Sequence, residues 1–200
     1  MGGLFPTEPI HFDLPDAEVL YYPAFFALEE ANILLDTLHR TIPWQQDAIR
    51  VFGKTHAQPR LTALFGNDAK PYSYSGITMQ PHPWSELLEK IKLRVESVAF
   101  THFTSVLLNL YRDGRDSNGW HADNEKELGV NPIIASLSLG ASRVFHLKHN
   151  SDFDAKQRIV LEHGSLLLMK GVTQHFWKHQ IPKTAKPVGA RINLTFRVIQ

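Results

Sequence analysis

Short apolar runs fill the second half of the chain, and this pattern restricts the fold more than any other feature. The runs span residues 103–112, 132–140, 143–148, 158–161, 165–170, 174–179 and 190–199. Most of them are separated by Gly, Asn, Asp or Pro. Short runs with frequent turn residues are typical of strands in an all-β sandwich or barrel. The second half therefore predicts a β core.

The first half has a different texture. Apolar residues recur at helical intervals in residues 26–40 and 84–100, which predicts two amphipathic helices. Residues 43–83, between them, are rich in Pro, Gly, Tyr and Gln. That composition predicts short strands and exposed loops, which suit a binding lid.

We expect one domain, mainly β with flanking helices (α+β). A set of short strands needs its open face covered by other parts of the chain. We therefore assign residues 1–200 to a single domain. The helices and the lid lie in residues 1–100, and the β core lies in residues 101–200.

Composition narrows the chemistry. The chain has no cysteine, so thiolate zinc sites and thiol nucleophiles are excluded, and a metal must be held by His and carboxylate. The net charge of +1 excludes a strongly basic tail, but a net sum does not exclude a local basic groove. No stretch approaches the roughly 18 apolar residues of a membrane span. We expect an intracellular monomer, cytoplasmic in a bacterium and nuclear in a eukaryote.

His121 and Asp123 form a candidate metal site. Residues i and i+2 of an extended chain point to the same face, so both side chains can approach one ion. The pair alone is weak evidence, because His11 and Asp13 repeat the pattern. The downstream candidates for a third ligand are His146, His149, His163, His175 and His179. Two His and one carboxylate suit non-haem Fe(II), and the same set could hold catalytic zinc.

The C-terminal run carries two arginines on one face. Strict alternation gives that face to Arg191, Asn193, Thr195 and Arg197. The face is either solvated or an interior site for an elongated dianion, because an Arg fork binds a carboxylate bidentately. Along the strand the two arginines would lie roughly 20 Å apart. Asn109 and Tyr111 also share a face and can donate hydrogen bonds to the same anion.

The order of these residues resembles the AlkB family of Fe(II)/2-oxoglutarate dioxygenases. The resemblance covers residues 45–200 and rests on four separated motifs at residues 109–114, 121–123, 179 and 191–197. Within the family, the sequence most resembles the branch that repairs double-stranded DNA. The segments with counterparts in that branch are residues 51–54, 59–60 and 72–76.

The resemblance implies a double-stranded β-helix (jelly roll) in which His121, Asp123 and His179 bind Fe(II). It implies oxidative demethylation (dealkylation) of N-alkylated bases in DNA, including duplex DNA. The reaction consumes O₂ and 2-oxoglutarate and releases succinate, CO₂ and formaldehyde. Alkylated DNA, or RNA, is then the expected partner.

The resemblance also assigns the polar face of the C-terminal run. Arg191 with Tyr111 would bind the distal carboxylate of 2-oxoglutarate. Arg197, a further catalytic residue, would hold the keto-acid end with Asn109 and Asn193.

The substrate side follows from the same resemblance. The damaged base must be flipped out of the duplex, and Tyr72 and Tyr74 would stack on it. Phe52 would enter the base stack in its place as a wedge. The residues expected at the edge of the base are Ser75, Asn124 and Glu125. The residues expected at phosphates are Arg50, Lys54, Arg60, Lys183 and Lys186.

Two other functions stay open at this point. The same iron core could act on RNA or on a protein side chain. A non-catalytic β-barrel module could bind damaged DNA with a degenerate metal site. The complete set of metal ligands and arginines argues against the non-catalytic module.

Overall fold

The architecture comes from a computed structural model, which describes residues 8–51, 54–67, 72–74 and 77–200. Only the backbone is described at residues 49–51, 54–55, 72–74 and 77–78. In chain order the strands are β1 (Ile10–Phe12), β2 (Glu18–Tyr22), β3 (Ala48–Val51), β4 (Lys54–Ala57), β5 (Leu61–Gly66), β6 (Tyr72–Tyr74), β7 (Ile77–Met79), β8 (Ser105–Tyr111), β9 (Asn118–His121), β10 (Ile134–Gly140), β11 (Arg143–His149), β12 (Lys156–Leu161), β13 (Ser165–Lys170), β14 (Trp177–Ile181) and β15 (Arg191–Arg197). The helices are α1 (Leu28–Thr41), α2 (Glu86–Ala99) and the single turn α3 (Thr173–Phe176), with a 3₁₀ turn at Lys126–Leu128.

Two antiparallel sheets form the body of the protein. The larger has the spatial order β1-β2-β13-β10-β15-β8-β5, and the smaller has the order β12-β11-β14-β9. From β8 onward the chain passes back and forth between the two sheets, which is the double-stranded β-helix, or jelly roll. The prediction of a mainly β fold with this core is confirmed. Two hairpins, β3–β4 and β6–β7, lie in the region predicted as a lid.

The helices cover the outer face of the larger sheet. Each has an apolar face that joins one buried cluster with strand residues such as Leu108 and Leu194. Helix α2 begins at a cap, where the Ser85 hydroxyl accepts a hydrogen bond of 3.3 Å from the Leu88 amide. It ends at Phe100, whose φ of 56° stops the helical path. Both predicted helices are confirmed, with starts two residues later than the sequence indicated.

The inner face of the larger sheet packs against the smaller sheet. All seven residues of β15 are buried. Ile192, Leu194 and Phe196 point toward the helices and belong to the helix-side cluster. The polar residues of the same strand therefore point into the space between the sheets. The solvated polar face considered for this strand is wrong, because the smaller sheet covers it.

Three details of the sequence prediction need correction. Strands β1, β2 and β5 come from the first half of the chain but pair within the larger sheet. The β core is therefore not confined to residues 101–200. The run at residues 174–179 begins as the helical turn α3 and becomes β14 only at Trp177. Strand β9 was not predicted, because its residues, Asn-Gly-Trp-His, form no apolar run.

Candidate metal centre and cosubstrate pocket

Strand pairing brings the predicted metal ligands together. Strand β9 ends at His121, Asp123 follows two residues later, and β14 carries His179. The two histidines are direct register partners across β9 and β14. One potential ligand atom from each of the three side chains lies within 4.8 Å of the other two. Among the described residues this is the only such group of three or more.

Electrostatics prepare this cluster for a cation. Burial raises the pKa of Asp123, but the charge of Arg197 and the neighbouring histidines outweigh it and lower that pKa to about 2. Arg197 Nη2 donates a 2.8 Å hydrogen bond to Asp123 Oδ1. Burial and the nearby His121 lower the pKa of His179 to about 3. At neutral pH the site therefore offers a carboxylate and neutral imidazole, which are the protonation states that bind a metal.

The histidine rings are held in place. His121 Nδ1 lies 2.7 Å from the Gly119 carbonyl oxygen. A carbonyl only accepts, so Nδ1 carries the proton and Nε2 keeps its lone pair. The His179 ring is stacked on Phe145 at 5.1 Å and meets His121 edge-on at 4.2 Å. This donor set, one carboxylate and two imidazoles, fits Fe(II).

A cavity between the sheets continues from the metal ligands to Arg191. Arg191 is 1% exposed, and its Nη2 donates to Ser138 Oγ at 2.9 Å. Its Nε and Nη1 have no hydrogen-bond partner among the described residues. Burial lowers the pKa of Arg191 to about 10, so it stays cationic at neutral pH. A buried cation with unsatisfied donors is costly, and the carboxylate of a ligand would satisfy it.

The polar residues expected to bind 2-oxoglutarate all line this cavity. Tyr111 is the cross-strand partner of Arg191, whose guanidinium carbon lies 5.1 Å from the centre of the tyrosine ring. Asn193 donates to Ser136 Oγ at 2.8 Å and also lines the cavity. Asn109, Asp123 and Arg197 line the same cavity, and Arg197 is hydrogen-bonded to Asp123. Their contacts with 2-oxoglutarate stay predictions.

Arg60 does not lie where a phosphate contact requires. Its side chain is buried, with 4% of the residue exposed. Its Nε donates to Asn109 Oδ1 at 2.7 Å, and its Nη1 donates to the Ser117 carbonyl at 3.1 Å. The expected phosphate contact of Arg60 is therefore wrong, because these hydrogen bonds hold the guanidinium inside the protein beside Asn109. Burial of an arginine in a loop is not visible in its sequence.

The other substrate residues fall into four groups. Asn124 is exposed and Glu125 is half-buried, directly after Asp123. Burial raises the pKa of Glu125, and its Oε2 has no hydrogen-bond partner among the described residues. Phe52 and Ser75 lie outside the described residues. Only backbone is described for Arg50 in β3, Lys54 in β4, and Tyr72 and Tyr74 in β6; Lys183 and Lys186 are exposed in the loop after β14.

Sequence reasoning missed two buried polar residues near the site. Gln174, in α3, accepts a 2.9 Å hydrogen bond from the Asp123 amide. Arg143, the first residue of β11, is 4% exposed. Both occur at the start of an apolar run, and a polar side chain in that position was the available signal.

The comparisons agree with this geometry. A family model for the 2OG-Fe(II) oxygenase superfamily matches residues 18–197. The DNA oxidative demethylase ALKBH2 of Homo sapiens is 38% identical over 188 residues, which cover 89% of this chain and 72% of the relative. This chain belongs to the AlkB family of 2OG-Fe(II) oxygenases. That family is defined by Fe(II) and 2-oxoglutarate, which decides between iron and zinc.

A further curated relative and a solved structure are also similar to this AlkB-family chain. Alpha-ketoglutarate-dependent dioxygenase alkB homolog 3 of Mus musculus is 43% identical over 192 residues, or 92% of this chain. The chain spans 66% of the length of that relative. A solved structure of OsALKBH1 matches with a TM-score of 0.64 at 16% identity, covering 95% of this chain and 99% of the other. This last likeness supports the fold alone.

No helix among the described residues is long and apolar enough to cross a membrane. The cytoplasmic or nuclear location, the monomeric state and the single-domain assignment stay predictions.

Proposed function

We propose that this chain is an Fe(II)/2-oxoglutarate-dependent dioxygenase that removes N-alkyl groups from bases in DNA, including duplex DNA. One observation carries the proposal. A carboxylate and two histidines that could hold a metal ion line the same cavity as a buried arginine, two of whose nitrogens have no hydrogen-bond partner among the described residues. A site of this kind suits a metal and a dicarboxylate together, which indicates oxidative chemistry.

The proposed metal ligands are His121, Asp123 and His179. Fe(II), bound there with 2-oxoglutarate, would activate O₂ to hydroxylate the N-alkyl carbon, giving succinate, CO₂ and, from a methyl group, formaldehyde. Arg197 orients the Asp123 carboxylate through its 2.8 Å hydrogen bond. Residues that fix the ligands beforehand reduce the reorganisation needed during reaction.

The cavity supplies the proposed cosubstrate contacts. Arg191 would bind the distal carboxylate through Nε and Nη1, which have no hydrogen-bond partner among the described residues, and Tyr111 would support it. Arg197, with Asn109 and Asn193, would hold the keto-acid end beside the metal. In this arrangement Arg60 serves Asn109, since its hydrogen bond fixes the side-chain oxygen of the asparagine.

A basic sheet face supports a nucleic-acid substrate. The smaller sheet has no Asp or Glu in its four strands. Its outer face carries Lys148, Lys156, Arg158 and Lys178, of which the last three are exposed. Trp120, 40% exposed, lies at the edge of this face with Lys148 Nζ 4.4 Å from its ring centre. Cations with an exposed aromatic ring suit a phosphate backbone with unstacked bases.

The proposed base contacts include the two residues that directly follow the metal ligand Asp123 in the chain. Asn124 and Glu125 would read the edge of the flipped base, and Ser75 would add a third contact. Tyr72 and Tyr74 would stack on the base, while Phe52 would fill the gap in the duplex. Lys54, Arg50, Lys183 and Lys186 would contact phosphates.

Turnover on defined substrates tests the proposal. Methylated duplex DNA, single-stranded DNA and RNA are incubated with the protein, Fe(II) and 2-oxoglutarate, and formaldehyde and repaired base are measured. We expect repair of duplex DNA, with none by Asp123→Ala and normal repair by the exposed control Asp154→Ala. Turnover on RNA alone would favour the RNA enzyme. Absence of turnover on every nucleic acid would reject the proposal.

The wedge has its own test. Phe52→Ala is expected to lower repair of duplex DNA about tenfold more than repair of single-stranded DNA, because only a duplex leaves a gap to fill. Initial rates on the two substrates with the same lesion give the comparison. Equal losses on both substrates would reject the wedge.

A further inference from the structure

Arg143 occupies an interior position that neither the metal site nor the cosubstrate contacts explain. It begins β11, with its side chain on the inner face beside Phe145 and Leu147, and it is 4% exposed. Burial lowers the pKa of its guanidinium. A buried arginine needs strong compensation, so its partners indicate its task.

The partners of Arg143 are backbone carbonyl groups in two loops. Within the described part of the chain, its Nη1 donates to Asp113 O at 3.2 Å, and its Nη2 donates to Asp116 O at 2.9 Å and Pro182 O at 2.6 Å. Asp113 and Asp116 lie in the loop between β8 and β9, and Pro182 begins the loop after β14. One planar group thus ties together two segments that are distant in sequence.

These two loops adjoin the strands that carry the histidine ligands. The first leads into β9, which ends at His121, and the second leaves β14, which contains His179. The loops also touch directly, since the Thr184 amide donates to Gly114 O at 2.8 Å. A Cβ at Gly114 would lie 2.4 Å from Thr184 O, so the contact requires glycine.

The same guanidinium also lies near Tyr111, which lines the cosubstrate pocket. Its central carbon lies 5.7 Å from the centre of the Tyr111 ring. The guanidinium carbon of Arg191 lies 5.1 Å from that ring. Two guanidinium groups therefore lie against the Tyr111 ring. Loss of Arg143 would change the position of Tyr111, and Tyr111 in turn supports Arg191.

We propose that Arg143 is a positioning residue that sets the affinity for 2-oxoglutarate. It does so by hydrogen-bonding the 112–117 loop to the 182–190 loop and by holding the Tyr111 ring in place. The inference rests on the proposed function only for the identity of the cosubstrate. Lysine cannot replace it, because an ammonium group lacks the planar fork that reaches carbonyls in two loops at once. The guanidinium acts through Tyr111 and the loops and does not touch the reacting atoms.

The test measures 2-oxoglutarate binding directly. Wild type, Arg143→Lys and Arg40→Lys are loaded with Mn²⁺ in place of Fe(II), and 2-oxoglutarate is titrated by calorimetry. Arg40 is exposed on helix α1, away from the cavity and from the basic sheet face, and serves as the control. We expect Arg143→Lys to raise the Kd about tenfold, the loss of one hydrogen bond to a charged group. Arg40→Lys should leave the Kd unchanged.

A second variant tests the contact between the two loops without removing the arginine. Gly114→Ala pushes the two loops apart and should also raise the Kd for 2-oxoglutarate severalfold. Circular dichroism and the thermal midpoint show that each variant is folded before titration. In turnover assays, KM for 2-oxoglutarate should rise while KM for methylated DNA changes less than twofold.

Two results would overturn the inference. One is wild-type 2-oxoglutarate affinity in folded Arg143→Lys or Gly114→Ala. The other is an equal loss of cosubstrate and DNA affinity with a lowered thermal midpoint, which indicates general destabilisation. Because calorimetry needs no nucleic acid, a failure of the proposed DNA repair activity would leave this test intact.

Discussion

The two faces of the larger sheet are both buried, yet different chemistry fills them. The helix-side face is closed by apolar side chains such as Ile192, Leu194 and Phe196. The inner face of the same strand carries Arg191 and Arg197, both almost fully buried. Apolar burial stabilises the fold in proportion to the area removed from water. Charge burial costs stability, and a protein retains it where a ligand will use it.

The comparison predicts that function and stability can be separated along one strand. Substitutions on the inner face should change ligand binding with little loss of stability. Substitutions on the helix-side face should do the opposite. A third surface, the outer face of the smaller sheet, should affect neither of these and change only the binding of nucleic acid.

The largest effect is expected at the inner face. Arg191→Met should weaken 2-oxoglutarate binding by at least about 100-fold, because the ligand carboxylate would be left without its buried cation. The free energy of unfolding should stay the same or rise, since an apolar side chain replaces an unsatisfied charge. Calorimetric titration and chemical denaturation measure the two quantities. A large loss of stability with normal binding would break the comparison.

The opposite outcome is expected on the helix-side face. Leu194→Ala should lower the free energy of unfolding by about 3 kcal/mol, because it leaves a cavity in the core between sheet and helices. The 2-oxoglutarate Kd of the folded variant should match the wild type. Val160→Ala, at a half-exposed residue of β12, is the control and should change stability by less than about 0.5 kcal/mol. Weakened cosubstrate binding in Leu194→Ala would show that the two faces are coupled.

The smallest effect sharpens the comparison with the outer surface. Lys156→Gln combined with Arg158→Gln should lower the slope of log Kd against log salt for duplex DNA by about 0.9 per lost phosphate contact. Stability and 2-oxoglutarate binding should not change. Lys90→Gln, on the exposed side of α2, is the matched control. An unchanged salt slope in the double variant would remove this face from the proposed interface.

The inner face was the most predictable part of the site. Side chains alternate along a strand with a period of two, so Arg191, Asn193 and Arg197 had to share a face. Their burial could not be predicted, because it depends on a second sheet that closes over them. The choice of His179 over His175 came from the family resemblance, and the pairing of β9 with β14 supplies its physical reason.

The errors also have physical causes. Arg60 looked like a surface cation, since the sequence does not show that Asn109 and the Ser117 carbonyl lie within its reach. Strand β9 has almost no apolar residues, and it forms because β14 offers it a free edge. Gln174 and Arg143 form hydrogen bonds with backbone groups. Every residue has such groups, so the sequence does not show which residues will be the partners.

The position of β9 at the edge of the smaller sheet has a consequence for assembly of the active protein. An edge strand has backbone partners on one side only, and β9 pairs with β14 through a register shift between His179 and Ile181. An ion held by His121 and His179 would join these two strands as a crosslink. Metal loading would then protect the β9 amides from hydrogen exchange, because the ion would hold this edge strand against its neighbour.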